Sequence, residues 1–282
     1  MKKVRIIIDT AADLREGVKE KFTVMCMKIS FGETEYTAGG DITNREFYEK
    51  LIESDVLPIT SQIKPFDYKE AFDEAENAGE AVVVITISSK MSGTYQSALI
   101  AKEESDAEVY VVDSLNVSIG YGNLAEYALM LAEEGKSASE IAEILEKARD
   151  KVKIVALLGT LEYLKKGGRI SPVTAFAGEL LSMKPVVTVK DGEVATLGKA
   201  RGSRQGNNLL IREIDKAGGV DFDMPLLLGY TGLSDTLMKK YIEDSAVLWE
   251  NSKEKLDYVT IGSIVGTHAG ADAIAVAFFA KE

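Results

Sequence analysis

Short, unbroken apolar runs constrain this chain most. Val4–Ile8 and Ala81–Ile87 are each too short for a buried helix, are rich in Ile and Val, and end in polar residues. A third strand reads over Glu108–Val112 and a fourth over Phe22–Ser30. Strands apolar on both faces must be covered on both faces, and helical crossovers between parallel neighbours do this. The intervening stretches read as helices. Thr43 with Glu46 forms a capping box opening a helix through Leu51-Ile52, and Pro65 fits the first turn of another running to Ala78-Gly79. Gly93–Glu104 and Ile119–Glu134 are helical, and Ser137 with Glu140 caps one more helix through Arg149. The expected class is α/β, with a parallel sheet between helices.

The second half is patterned differently. A strand at Ile154–Leu158 precedes a short helix, Leu161–Lys166, stopped by Gly167-Gly168. Pro172–Ser182 reads as an apolar helix. Pro185–Val189 and Val194–Leu197 form a hairpin about Asp191-Gly192. A helix near Gln205–Lys216, a strand Leu226–Tyr230 and a helix Asp235–Ser245 follow, and strands Tyr258–Val265 and Ala273–Ala280 close the chain. A boundary near Lys151 gives two expected domains, 1–151 and 152–282, the second α/β with a mixed or antiparallel sheet and packed helices.

Charge excludes some partners. Against 45 Asp and Glu there are 33 Lys and Arg, a net −12. Such a chain repels nucleic acid and anionic lipid surfaces at long range. No apolar stretch is long enough for a membrane span, and no signal-peptide core follows the first residues, so the expected location is cytoplasmic. The single cysteine, Cys26, has no Cys or His at metal spacing and is expected to be a small buried residue. Asp9 and Asp13 lack an evident third metal ligand, and capping of the next helix is their expected role; no metal is expected.

The chain holds one histidine, His268, in the run Gly266-Thr267-His268-Ala269-Gly270-Ala271 between the last two expected strands. It reads either as a hydrogen-bonded structural residue or as a group that meets an anion or trades a proton. Ser88–Ser97 follows the Ala81–Ile87 strand and opens a helix at Ser92-Gly93. This is an anion site by construction, or simply an N-cap. Thr60-Ser61-Gln62 lies in an expected loop between prolines. Gly167-Gly168-Arg169-Ile170-Ser171 and Lys199–Arg204 gather cations, suited to phosphate or carboxylate, or to surface ion pairs. No phosphate-binding glycine loop is present.

Together these clusters resemble the DegV family of fatty-acid-binding proteins. Asp9-Thr10-Ala11-Ala12-Asp13-Leu14 is similar to its opening Asp-Ser-Thr-Ala-Asp-Leu. Thr60-Ser61-Gln62 is similar to its Thr-Ser-Gln-Pro, and Ser92–Ala98 to its Ser-Gly-Thr-Tyr-x-Ser-Ala. Leu161–Ser171 is the most specific stretch, and Lys184-Pro185 and the Arg201 region also fit. The chain departs from the family at Ile63-Lys64-Pro65, and at Ala269-Gly270-Ala271-Asp272, where Thr-Gly-Pro-Gly is usual.

The resemblance implies two domains with an apolar tunnel between them, holding a long-chain fatty acid such as palmitate, stearate or oleate. It implies carboxylate binding by Thr60, Ser92, Gly93 and His268 with Ser61 near, and docking of a fatty acid kinase at Arg169 and Arg201. That kinase would phosphorylate the carboxylate. The chain would then be a carrier without a cofactor, not an enzyme. Beside this, Val173–Met183 is a candidate tunnel wall, and Asp272 is placed to hydrogen-bond the imidazole and hold it protonated. A lipid esterase or thioesterase using Ser92 as nucleophile and His268 as base, with Asp272 as orienter, is the alternative reading.

Overall fold

A computed structural model describes residues 2–170, 183–250, 252 and 256–281. Strands β1 (Val4–Asp9), β2 (Thr23–Met25), β6 (Ala81–Thr86) and β7 (Val109–Asp113) form a parallel sheet in the order β2-β1-β6-β7. Helices α3 (Pro65–Asn77) and α4 (Thr94–Glu103) pair with each other, as do α5 (Ser118–Glu133) and α6 (Ala138–Ala148), and the four pack on this sheet. Covered strands have no solvent face, which is why all six residues of β6 are buried. The capping boxes form at Thr43–Glu46, opening α2 (Asn44–Glu53), and at Ser137–Glu140, opening α6. Pro65 sits at the start of α3.

The expected strand Phe22–Ser30 is two strands in two sheets. After β2 the chain turns, and β3 (Lys28–Phe31) pairs antiparallel with β4 (Thr34–Thr37) and β5 (Ile59–Ser61). Cys26 falls at this turn and is exposed, while Met27 beside it is buried, its N–H bonded to Thr10 Oγ1 at 2.9 Å. The expectation of a buried cysteine therefore fails: the chain changes sheets there and turns Cys26 outward. Thr60-Ser61 belongs to β5, not to a loop.

The strands after Lys151 pair in one mixed sheet, β10-β9-β8-β13-β11-β12, comprising β8 (Val152–Leu157), β9 (Met183–Lys190), β10 (Glu193–Arg201), β11 (Leu227–Tyr230), β12 (Tyr258–Thr260) and β13 (Ile274–Phe279). β11 and β12 are parallel and the other pairs antiparallel. The β9–β10 hairpin turns through Asp191 (φ 52°) and Gly192 (φ 82°), the double positive φ of a type I′ turn. Helices α8 (Gly202–Lys216) and α9 (Thr236–Asp244) cover one face of this sheet. α5 packs on the other and also touches β1, so one helix lies between the two sheets. Its sequence suits that place, with ten buried residues around its circumference.

The last expected strand pair is also revised. Tyr258–Val265 does not continue as a strand: β12 ends at Thr260, and Ser263–Ala269 forms helix α10, with His268 in its last turn. The expected helix at Pro172–Ser182 lies outside the described residues, as does most of the expected tunnel wall Val173–Met183; Met183 itself begins β9.

Candidate functional site: an apolar cavity with a polar end

A cavity of about 190 Å³ lies between the parallel sheet and the six-stranded sheet. Ile154, Ala156 and Leu158 line it from β8 and the residue after it, Val187 and Val189 from β9, and Ala273 and Ala275 from β13 and the residue before it. Met27, Ile87, Met91 and Val117 face them from the first half, and Ile264 and Val265 from α10. Six residues form one polar cluster, Thr60, Gln62, Ser92, Gly93, Arg169 and His268, while Ser118 and Thr188 line the cavity elsewhere.

Helix α10 sets the aim of His268, and the first half of the chain holds that helix. Asp13 Oδ1 accepts the Gly262 N–H at 2.7 Å, at the start of α10, while Oδ2 accepts the Ser118 hydroxyl at 2.6 Å. Tyr48 donates its hydroxyl to the Ile261 carbonyl at 2.9 Å. Asp9 works similarly one turn of chain earlier, accepting the N–H groups of Ala11 and Ile87, both at 2.9 Å, and so tying the loop after β6 to β1. Neither aspartate caps α1 (Glu16–Lys19), where Arg15 holds the N-cap position, so the expected capping role is replaced by cross-links between elements. Burial pushes both carboxyls up to about 6 against these hydrogen bonds. Among the described residues, no group of three His, Cys, Asp or Glu could hold a metal.

At the polar end, His268 Nε2 lies 3.1 Å from Thr60 Oγ1, across 208 residues of sequence. Nδ1 is buried without a partner among the described residues, and it rests against Gly167, where a Cβ would overlap the ring. Desolvation first, and then the positive charge of Arg169, push the imidazole down to about 4, so it is neutral at pH 7. Asp272, expected to hold it protonated, is exposed at a positive φ of 61° and makes no bond to the ring; that turn aims it outward.

The other expected site residues divide. Ser92 lines the cavity, its hydroxyl 2.9 Å from Thr94 Oγ1 and accepting the Thr94 N–H at 3.3 Å. Gly93 is the N-cap of α4, and the Gln62 amide fills the place its Cβ would take. Gln62 donates in turn to Ser97 Oγ at 3.0 Å. Ser61 is exposed and does not line the cavity, because strand alternation turns it away from Thr60. Arg201 is exposed at the end of β10, its N–H bonded to Gln205 Oε1 at 2.9 Å. Arg169 is half-buried and lines the cavity, donating Nε to the Met91 carbonyl at 3.2 Å and a terminal nitrogen to the Gly167 carbonyl at 2.6 Å. The docking role expected for it, as for Arg201, came from the family resemblance.

Thr60, Arg169 and His268 also border a second pocket, with Val56, Leu57, Pro58 and Ile59. Val56 is 61% and Ile59 70% exposed. The polar cluster therefore separates an apolar interior from an exposed apolar rim. A parallel sheet and a mixed sheet with helices, flanking an apolar cavity with a polar end, define the class: an α/β protein with a cavity between its sheets. The sequence profile described as "Uncharacterised protein, DegV family" matches residues 3–281, and the chain belongs to that family. A DegV domain-containing protein of Clostridium acetobutylicum is 34% identical, the match covering 100% of both chains. One from Clostridium perfringens is 33% identical over 99% of this chain and 98% of its own. Among solved structures, a fatty-acid-binding DegV family protein from Thermus thermophilus superposes with a TM-score of 0.87 at 28% identity, covering 99% of this chain and 100% of that one. A stearic acid-binding protein from Eubacterium ventriosum superposes with a TM-score of 0.85 at 28% identity, covering 98% and 97%.

Proposed function

We propose that this protein binds a long-chain fatty acid in the interlobe cavity and carries it to a partner that acts on the carboxylate. The carrying observation is the division of the cavity: aliphatic side chains along its length, and Thr60, Ser92, His268 and Arg169 gathered at one end. A buried carboxylate needs several donors and preferably a cation. The Thr60 and Ser92 hydroxyls donate to it, His268 Nε2–H backs the Thr60 oxygen, and Arg169 supplies the charge. A sixteen-carbon chain gains on the order of 10 kcal/mol from burial before ordering costs. The relatives described as fatty acid-binding and stearic acid-binding support the same reading.

The partner is a fatty acid kinase, and the chain is a carrier in the cytoplasm, not itself a catalyst. The head group lies beneath the exposed rim of Val56 and Ile59, where a second protein can reach it. Arg201, exposed and outside the cavity, is a docking residue; Arg169 belongs to the head group. The esterase alternative lacks a nucleophile–base contact: the Ser92 hydroxyl pairs with Thr94 and the imidazole with Thr60. Denaturing mass spectrometry of the purified protein should release one fatty acid per chain. An empty protein that also fails to take up added fatty acid would overturn the reading.

A further inference from the structure

The cavity runs lengthwise along β8. Leu158 lies at the polar end, and Ala156 and Ile154 follow on the same face at two-residue steps, a wall of about 13 Å. Ala156 is opposite Val187 on β9, and the same register sets Ile154 opposite Val189. Val189 is in turn opposite Val194 on β10, and both line the cavity. Beyond them, among the described residues, the hairpin continues through the Lys190–Glu193 pair to the Asp191-Gly192 turn.

That turn is fastened to the other lobe. Ser88 donates its hydroxyl to the Gly192 carbonyl at 2.7 Å in a buried bond. The fit is close enough that a Cβ on Gly192 would lie 2.6 Å from Ser88 Oγ and 3.1 Å from Leu115. At the same end of β8, Asn116 Nδ2 donates to the Val152 carbonyl at 3.2 Å. The hairpin therefore cannot swing away from the first lobe without breaking a buried hydrogen bond. Midway along the path, Ala156 and Ala275 are register partners on adjacent strands, and their small side chains keep the route open.

We propose that the β9–β10 hairpin is the end wall that sets which acyl chain length fits, with Val189 and Val194 as its surface, Ser88 as its fastening, and Ala156 and Ala275 as the open floor leading to it. This rests on the fatty acid reading above. The wall acts on the methyl end of the chain, so it changes length preference.

The test is competition among saturated fatty acids from lauric to arachidic for lipid-stripped protein, read by native mass spectrometry. The Val189→Ala, Val194→Ala double variant should raise the affinity for acids two carbons longer than the wild-type optimum about fifteenfold relative to that optimum, since each buried methylene is worth about fourfold. Ala156→Val should move the preference the other way, lowering the long-to-short ratio about tenfold. Ser88→Ala leaves every wall side chain in place and should broaden the range of lengths accepted; it decides the matter where the double variant does not fold. A wild type that selects a length, with folded variants selecting the same one, overturns the end wall alone. A wild type that takes up none of the acids overturns the fatty acid reading and the wall with it.

Discussion

The two faces of the six-stranded sheet are built from alternate residues of the same strands, yet one is packed solid and the other encloses a cavity. On β13, Ile274, Val276 and Phe278 point toward α8 and α9, while Ala275 and Ala277, with Ala273 just before the strand, point toward α5 and the cavity. On β8, Val155 and Leu157 join the packed face, and Ile154 and Ala156 the other. The hydrogen-bond ladder is shared, so the difference is one of side-chain volume. Large residues fill the space to the helices, and alanines leave an unfilled layer that the α5 and α10 side chains do not reach. A cavity here is therefore cheap in fold terms, because it is carved from one face while the other supplies cohesion.

Breaking the packed face should show this most strongly. Phe278→Ala removes a fully buried ring and should cost about 3–5 kcal/mol in denaturant unfolding, while the folded fraction keeps its lipid content. A variant that lost lipid at unchanged stability would erase the division between the faces. Next in size is an effect of pH. Asp9 and Asp13 have folded-state values near 6, above the ordinary 3.8, so the folded protein holds these protons more tightly than the unfolded one. Their contribution therefore raises stability as pH falls from about 7 toward 4, by up to about 3 kcal/mol each. His268 works in the opposite sense, because its value near 4 lies below the ordinary 6.5, so stability is lost as pH falls through that interval. Asp13→Asn should flatten the first slope and His268→Gln the second, measured as unfolding free energy at pH 7, 5.5 and 4. Unchanged slopes would mean these groups are not held as described.

Smaller effects separate the cavity's polar end from its walls. His268→Ala should weaken fatty acid binding by about 1 kcal/mol, the loss of the neutral hydrogen bond that orients the Thr60 hydroxyl, measured as lipid affinity at pH 7. Retention equal to the wild type would remove the imidazole from the head-group site. Smallest of all, Arg201→Ala should leave both stability and lipid content within about 0.5 kcal/mol of the wild type while reducing phosphorylation of the bound acid by an added fatty acid kinase. Lipid loss in that variant would refute its place outside the cavity.

Much of this architecture was legible in the residues. Unbroken apolar strands, two capping boxes and an Asp-Gly hairpin act locally and formed as read. The last turn of chain before β13 did not. Ile264, Val265, Gly266 and Thr267 are poor helix formers, and α10 forms from them with tertiary support: packing on Phe47 and Tyr48 and the bond from Asp13 to the Gly262 N–H. No local signal carries that contact. Likewise, Thr60 and His268 meet through tertiary structure alone, and their pairing was accessible only through family resemblance. The cavity itself did have a local signature that went unused: Ala273-Ile274-Ala275-Val276-Ala277-Phe278 alternates small and large with the period of a strand.

Arg169 carries a consequence for the kinetics of loading. Its guanidinium already bridges the two lobes, bonded to the Met91 carbonyl on one side and the Gly167 carbonyl on the other. A free arginine side chain forfeits up to about 2 kcal/mol of rotamer freedom when an anion captures it. Here that loss is incurred during folding, before any ligand arrives. Under the proposed function, the charge would stand at a fixed place, so an incoming anion would meet a rigid target and need not wait for a mobile arm to find it.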